Sequence, residues 1–93
     1  MTSQASDAAS RMPKVDFSTF VLSLATAALY QLGAVPEAGS GEPVPADPLV
    51  ARQTLETLEM LREKTQGNLS EDERKLIDSL LYDLRMRFIE LAR

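Results

Sequence analysis

Between Asp16 and Gly33 the chain runs sixteen residues, Phe17 to Leu32, without one charge. No other stretch restricts the possible folds so strongly. Asp16 can cap the first turn of a helix and Gly33 can close its last, so the segment reads as an apolar N-terminal helix over residues 15–33. At 100° per residue, Ala25, Ala27, Phe20, Leu22, Leu32 and the positions Phe17, Val21, Leu24, Ala28 and Leu29 occupy an arc of about 220°. Thr19, Ser23, Thr26 and Tyr30 remain on the other side. A rim helix of a monomeric three-helix bundle hides roughly half its circumference, so this arc asks for cover on a second side.

The following stretch, 34–47, ends at Pro48 and carries Pro36, Pro43 and Pro45 with Gly39 and Gly41. Neither a helix interior nor a central strand accommodates that pattern, which is read as a linker. Its extended length, about 40 Å, would let the first helix reach a neighbour's fold. Residues 1–14 are mostly Ser, Ala, Thr, Gln and Asp with almost nothing to bury and are expected to form a disordered tail.

Asp47-Pro48 is a helix start, because Asp caps free amides and Pro at the first helical position gives up an N–H that has no partner there. The second helix is expected over 48–64, with Val50, Ala51, Thr54, Leu55, Leu58 and Leu61 inside roughly 140°. Gly67 is expected as its left-handed cap. Ser70-Glu71-Asp72-Glu73 is a capping box, and a third helix over 71–92 carries a near-heptad seam of Leu76, Ile77, Leu80, Leu81, Leu84, Phe88 and Leu91. The short connection makes the second and third helices an antiparallel αα-hairpin. Tyr82, Met86 and Ile89 form a narrower apolar stripe away from that seam.

The composition removes most chemistry. With no His and no Cys there is no thiolate, no disulfide, no cysteine-ligated metal and no imidazole base, so no catalytic, cofactor or metal residue is assigned and the protein is expected not to be an enzyme. Glu71, Asp72 and Glu73 read as helix-dipole complements, not as a metal cluster. Lys64-Thr65-Gln66-Gly67 has the wrong order for a phosphate loop. Ten basic against 14 acidic side chains, net −4, argue against nucleic acid as a partner. Arg74, Lys75, Arg85, Arg87 and Arg93 are interspersed with Asp78, Asp83 and Glu90 and read as a salt-bridged surface. A membrane span needs about 20 apolar residues, more than the first helix has. Arg11 and Lys14 before an apolar run with Ala25-Thr26-Ala27 loosely copy a signal peptide, but Asp16 and the many hydroxyls interrupt the pattern.

Two segments at a characteristic separation carry a family resemblance. They are Phe-x-x-Phe-Val-Leu-Ser-Leu-Ala-Thr-x-Ala-Leu from Phe17, ending Leu32-Gly33, and Lys64-Thr-x-Gly-Asn-Leu-Ser-x-Asp-Glu with the following Leu-x-x-Leu-Leu-x-x-Leu-Arg. Over about Val15 to Leu91 the chain resembles the short bacterial proteins grouped as domain of unknown function 1844. The resemblance implies a bacterial origin and a compact helical protein, with no activity attached and no site residues to carry over.

The expected fold is therefore all-α: one apolar N-terminal helix plus an antiparallel αα-hairpin, completed as a helical bundle by dimerisation. The expected function is a non-enzymatic, cytoplasmic, self-associating module that docks another, unidentified protein. Its expected interface residues are Phe17, Phe20, Val21, Leu24, Ala28 and Leu29 on the first helix, with Tyr82, Met86 and Ile89 on the third. The alternatives are a peripheral membrane protein that uses the apolar helix and a small nucleic-acid-associated protein.

Overall fold

The structure is a computed structural model that describes residues 15–34 and 45–92. The expected tail at 1–14 and most of the expected linker lie outside those residues. The described residues form three helices and no strand: α1 (Phe17–Gln31), α2 (Pro48–Lys64) and α3 (Glu71–Ala92).

Each helix starts and stops where side-chain chemistry satisfies its loose amides and carbonyls. Asp16 Oδ1 accepts from the Thr19 amide at 2.8 Å, and Asp47 Oδ1 accepts from the Val50 amide at 3.4 Å with Pro48 in the first turn. Ser70 and Glu73 complete the capping box in both directions, Glu73 N–H to Ser70 Oγ at 3.1 Å and Ser70 N–H to Glu73 Oε1 at 2.8 Å. At the end of α1 the Ala34 amide reaches the Leu29 carbonyl and the Gly33 amide reaches the Tyr30 carbonyl. This Schellman arrangement needs a left-handed residue, and Gly33 supplies it at φ 72°. Gly67 is also left-handed, at φ 87°, but it stands beyond the Thr65 cap of α2, inside a turn closed by the Asn68 amide on the Thr65 carbonyl. It thus shapes the hairpin connection and does not terminate α2 directly.

All three helices pack on one another around a single core. Val21, Ala25, Ala28 and Leu32 come from α1 and its cap, Ala51, Leu55 and Leu58 from α2, and Ile77, Leu81 and Leu84 from α3. These positions recur at three- and four-residue spacing, which is why one stripe of each helix meets the others. Leu58 and Ile77 are wholly buried, and each such side chain contributes about 1.5 to 3 kcal/mol relative to exposure. Val50, placed by periodicity on the inner stripe of α2, is 39% exposed because it sits in the first turn, at the end of the packed length.

Two ion pairs tie the hairpin together across its helices: Arg62 Nε to Asp78 Oδ1 at 2.6 Å and Arg85 Nε to Glu59 Oε2 at 3.0 Å. The partner positions rise on α3 as they fall on α2, so the two run antiparallel. At the other side, the Thr54 hydroxyl donates to Gln31 Oε1 at 2.6 Å and the Asp47 amide donates to the Gln31 carbonyl at 2.7 Å. The end of α1 is therefore fastened to the start of α2. α1 lies on the hairpin of its own chain. A core closes within one chain, without a second copy to complete it.

Candidate functional site

The apolar arc of α1 is wider than the strip its own core absorbs. Val21 and Ala28, expected at an intermolecular interface, are both 0% exposed, because they stand at the centre of the strip that faces α2 and α3. They belong to the core and not to any outer surface. Phe17, Leu24 and Leu29 are partly buried against that core and flank it. Phe20 is left outside at 46% exposure, and so is Leu22 at 46%, a residue outside the expected set. Between these two on the helix surface lie Thr19, Ser23, Thr26, Ala27 and Tyr30, none of them charged.

The hydroxyls on this face are partly turned back into the helix. Ser23 Oγ donates to the Phe20 carbonyl at 2.7 Å, and Thr26 Oγ1 donates to the Leu22 carbonyl at 2.9 Å. Such back-bonding spends the hydroxyl proton locally, so these side chains need less from water than their chemical type suggests. The outer face of α1 is an uncharged strip with a large apolar residue on each edge and small residues and Tyr30 along its middle.

Tyr82, Met86 and Ile89 are exposed on α3, as their spacing opposite the seam requires. The structure does not bring them to the α1 face. Of the three, Ile89 lines a groove of about 260 Å³ between α2 and α3, together with Leu55 and Phe88 and a rim of Arg52, Glu56, Glu59 and Arg85. No α1 residue lines it. Sequence periodicity assigns Leu55 and Phe88 to the inner seam and leaves the groove unseen, because its width depends on how far apart two helices stand. The α1 face and the groove are therefore two separate surfaces.

The arginines of the described residues are arranged in ion pairs. Arg52 pairs with Glu56 at 3.3 Å, Arg74 with Glu71 at 2.6 Å and with Asp78 at 3.3 Å, and Arg87 with Asp83 at 3.0 Å. With Arg62 and Arg85 in their cross-helix pairs, every arginine among the described residues holds a carboxylate. Arg62, Asp78 and Arg74 make the most connected of these groups. The hydrogen bond from the Arg62 guanidinium holds the Asp78 carboxyl below its usual range, with desolvation opposing and Arg74 adding to the shift.

A depressed carboxyl pKa stabilises the fold above the unfolded-state value, and that contribution is lost as pH falls through the folded value. Asp78→Asn should accordingly lower the urea midpoint at neutral pH. The gap between variant and parent should close in acid, below the folded-state value of Asp78. Urea titrations of both proteins at neutral and strongly acidic pH check this, and a gap that persists in acid would refute the electrostatic reading.

Glu71 and Glu73 are engaged with Arg74 and the Ser70 amide, which accounts for the acidic cluster at the start of α3. Among the described residues no group of acidic side chains is arranged to hold a metal ion. Nor is any helix there long and apolar enough to cross a membrane.

The model of a family described as a domain of unknown function, DUF1844, matches residues 14–90, most of the chain. No curated protein and no solved structure matches it.

Proposed function

The chain belongs to the DUF1844 family, and for this small helical member of it we propose a non-enzymatic role as a self-associating interaction module of the cytoplasm. The outer face of α1 carries the reading. Phe20 and Leu22 remain half exposed on a helix whose outer strip has no charge, and two of its hydroxyls are spent on its own backbone. A solvated helix face of a small domain normally carries Lys, Glu or Arg, as α2 and α3 do here. A face without them gains most when another protein surface excludes the water. The partner is a second copy of the chain, with a homodimer as the smallest assembly, and the module so formed docks another protein.

The charge pattern supports this reading over the alternatives. Paired arginines offer a phosphate backbone little uncompensated positive charge, and α1 has no Lys or Arg for anionic lipid headgroups.

Sedimentation equilibrium at micromolar concentration tests the proposal. The parent protein is expected above monomer mass. Phe20→Glu should sediment as a monomer with its helical circular dichroism intact, because the position is outside the core. A parent protein that stays monomeric throughout removes the proposal, and flotation with phosphatidylcholine and phosphatidylglycerol vesicles would then point to a lipid surface.

A further inference from the structure

Self-association leaves open which surface of the second copy covers α1, and the structure offers a surface unlike α1 itself. We infer that the outer face of α1 docks into the α2–α3 groove of a neighbouring copy, so that the chain assembles head to tail. This rests on the self-association proposed above.

The two surfaces are compatible in polarity: an uncharged helix face and an apolar groove whose rim charges are paired within the chain. The groove, at about 260 Å³, falls below the range of small-molecule sites, roughly 300 to 1,000 Å³, and suits protruding side chains better than a ligand. Its floor of Leu55, Phe88 and Ile89 is apolar. Its rim charges are already neutralised within the chain, Arg52 by Glu56 and Arg85 by Glu59. A charged partner helix would compete with those pairs, and burying them beneath a wholly aliphatic surface would strip their hydration without replacement. An uncharged helix that carries hydroxyls avoids both costs. The outer face of α1 fits that description, with Phe20 to enter the groove and the hydroxyls of Thr19 and Tyr30 to meet the rim. The exposed faces of α2 and α3 carry Glu63, Lys64, Lys75 and Asp83 and do not.

Within one molecule the two surfaces cannot meet. The buried strip of α1 faces the core, its outer face points away from it, and the groove opens where no α1 residue reaches. A symmetric contact through α1 alone would leave the groove and the Tyr82, Met86 and Ile89 stripe in water. A symmetric contact through the groove would leave Phe20 so. One head-to-tail contact covers both. Such a contact uses two different patches, so a first pair of chains still has an α1 face at one end and a groove at the other, and growth continues into a ring or a filament.

Mixing two variants decides the matter. Phe20→Glu blocks the α1 face and keeps the groove, while Ile89→Glu blocks the groove and keeps α1. The parent protein should gain mass beyond the dimer as concentration rises, and each variant alone should sediment as a monomer. An equimolar mixture should form a one-to-one complex that stops at dimer mass, since only one productive contact is left in it. Phe20→Ser and Ile89→Ser repeat the design if either Glu variant loses helical signal. A mixture that stays monomeric overturns the head-to-tail contact, and so does an Ile89 variant that still associates like the parent. A parent protein that never leaves monomer mass overturns the self-association beneath it, which separates the two failures.

Discussion

Leu84→Asp abolishes the helical circular dichroism signal at 25 °C and neutral pH. Leu84 is 1% exposed and belongs to the α3 seam with Ile77 and Leu81. No basic side chain is buried in that core to receive a carboxylate. An ionised group there faces a desolvation cost far above the total stability of a small domain, about 5 to 15 kcal/mol. The group would protonate or the fold would open, and even the neutral acid forfeits the packing of leucine. The adjacent position makes an internal comparison. Asp83 is already an aspartate one residue away, exposed and paired with Arg87 at 3.0 Å. A far-UV spectrum unchanged by Leu84→Asp would mean that the seam of α3 has been assigned to the wrong side.

Leu58→Ala is expected to destabilise the protein by about 2 to 5 kcal/mol without changing its fold. Leu58 is 0% exposed and stands on α2 between Leu55 and the partly buried Leu61, with core side chains of α1 and α3 in the same cluster. Removal of its branched end costs the transfer free energy of the lost groups and adds the penalty of a cavity. The short bundle can close only part of that cavity. For a domain of this size the loss lowers the melting temperature on the order of 10 to 30 °C, measurable by thermal circular dichroism. Leu49→Ala is the matched control. Leu49 is 79% exposed on the same helix, and its truncation should stay within about 0.5 kcal/mol of the parent. Equal effects at the two positions would show that α2 does not bury the face assigned to it.

The caps and stripes of the fold were legible because they are local. Asp16, Asp47-Pro48 and Ser70 with Glu73 announce helix starts through hydrogen bonds that span three residues, and Gly33 announces an end through a backbone conformation that other residues resist. Periodicity likewise identifies Leu55, Leu58, Ile77, Leu81 and Leu84 as inward-facing. What depends on the spacing between helices was not legible. Arg85 and Glu59 look like unrelated members of a scattered charged surface until α2 and α3 lie side by side, 3.0 Å apart at that pair. The width of α1's apolar arc suggested that a second chain was required, yet it could not say which residues its own hairpin would take. Val21 and Ala28 went inward and Phe20 and Leu22 stayed out, because a helix hides only about half its circumference against two neighbours. The left-handed Gly67 was recognisable by type, but its exact place in the connection depended on where the last turn of α2 stopped.

The amide of Asp47 grips the carbonyl of Gln31, so the end of α1 and the start of α2 meet at one spot. The tether between them has little geometric work left, and doubling its length would add only about 0.6 kcal/mol of closure entropy. Past the Leu32 core position and the Gly33–Ala34 cap, the bundle thus tolerates length added between Ala34 and Pro45. Foreign sequence grafted there would leave the three-helix packing to form on its own terms.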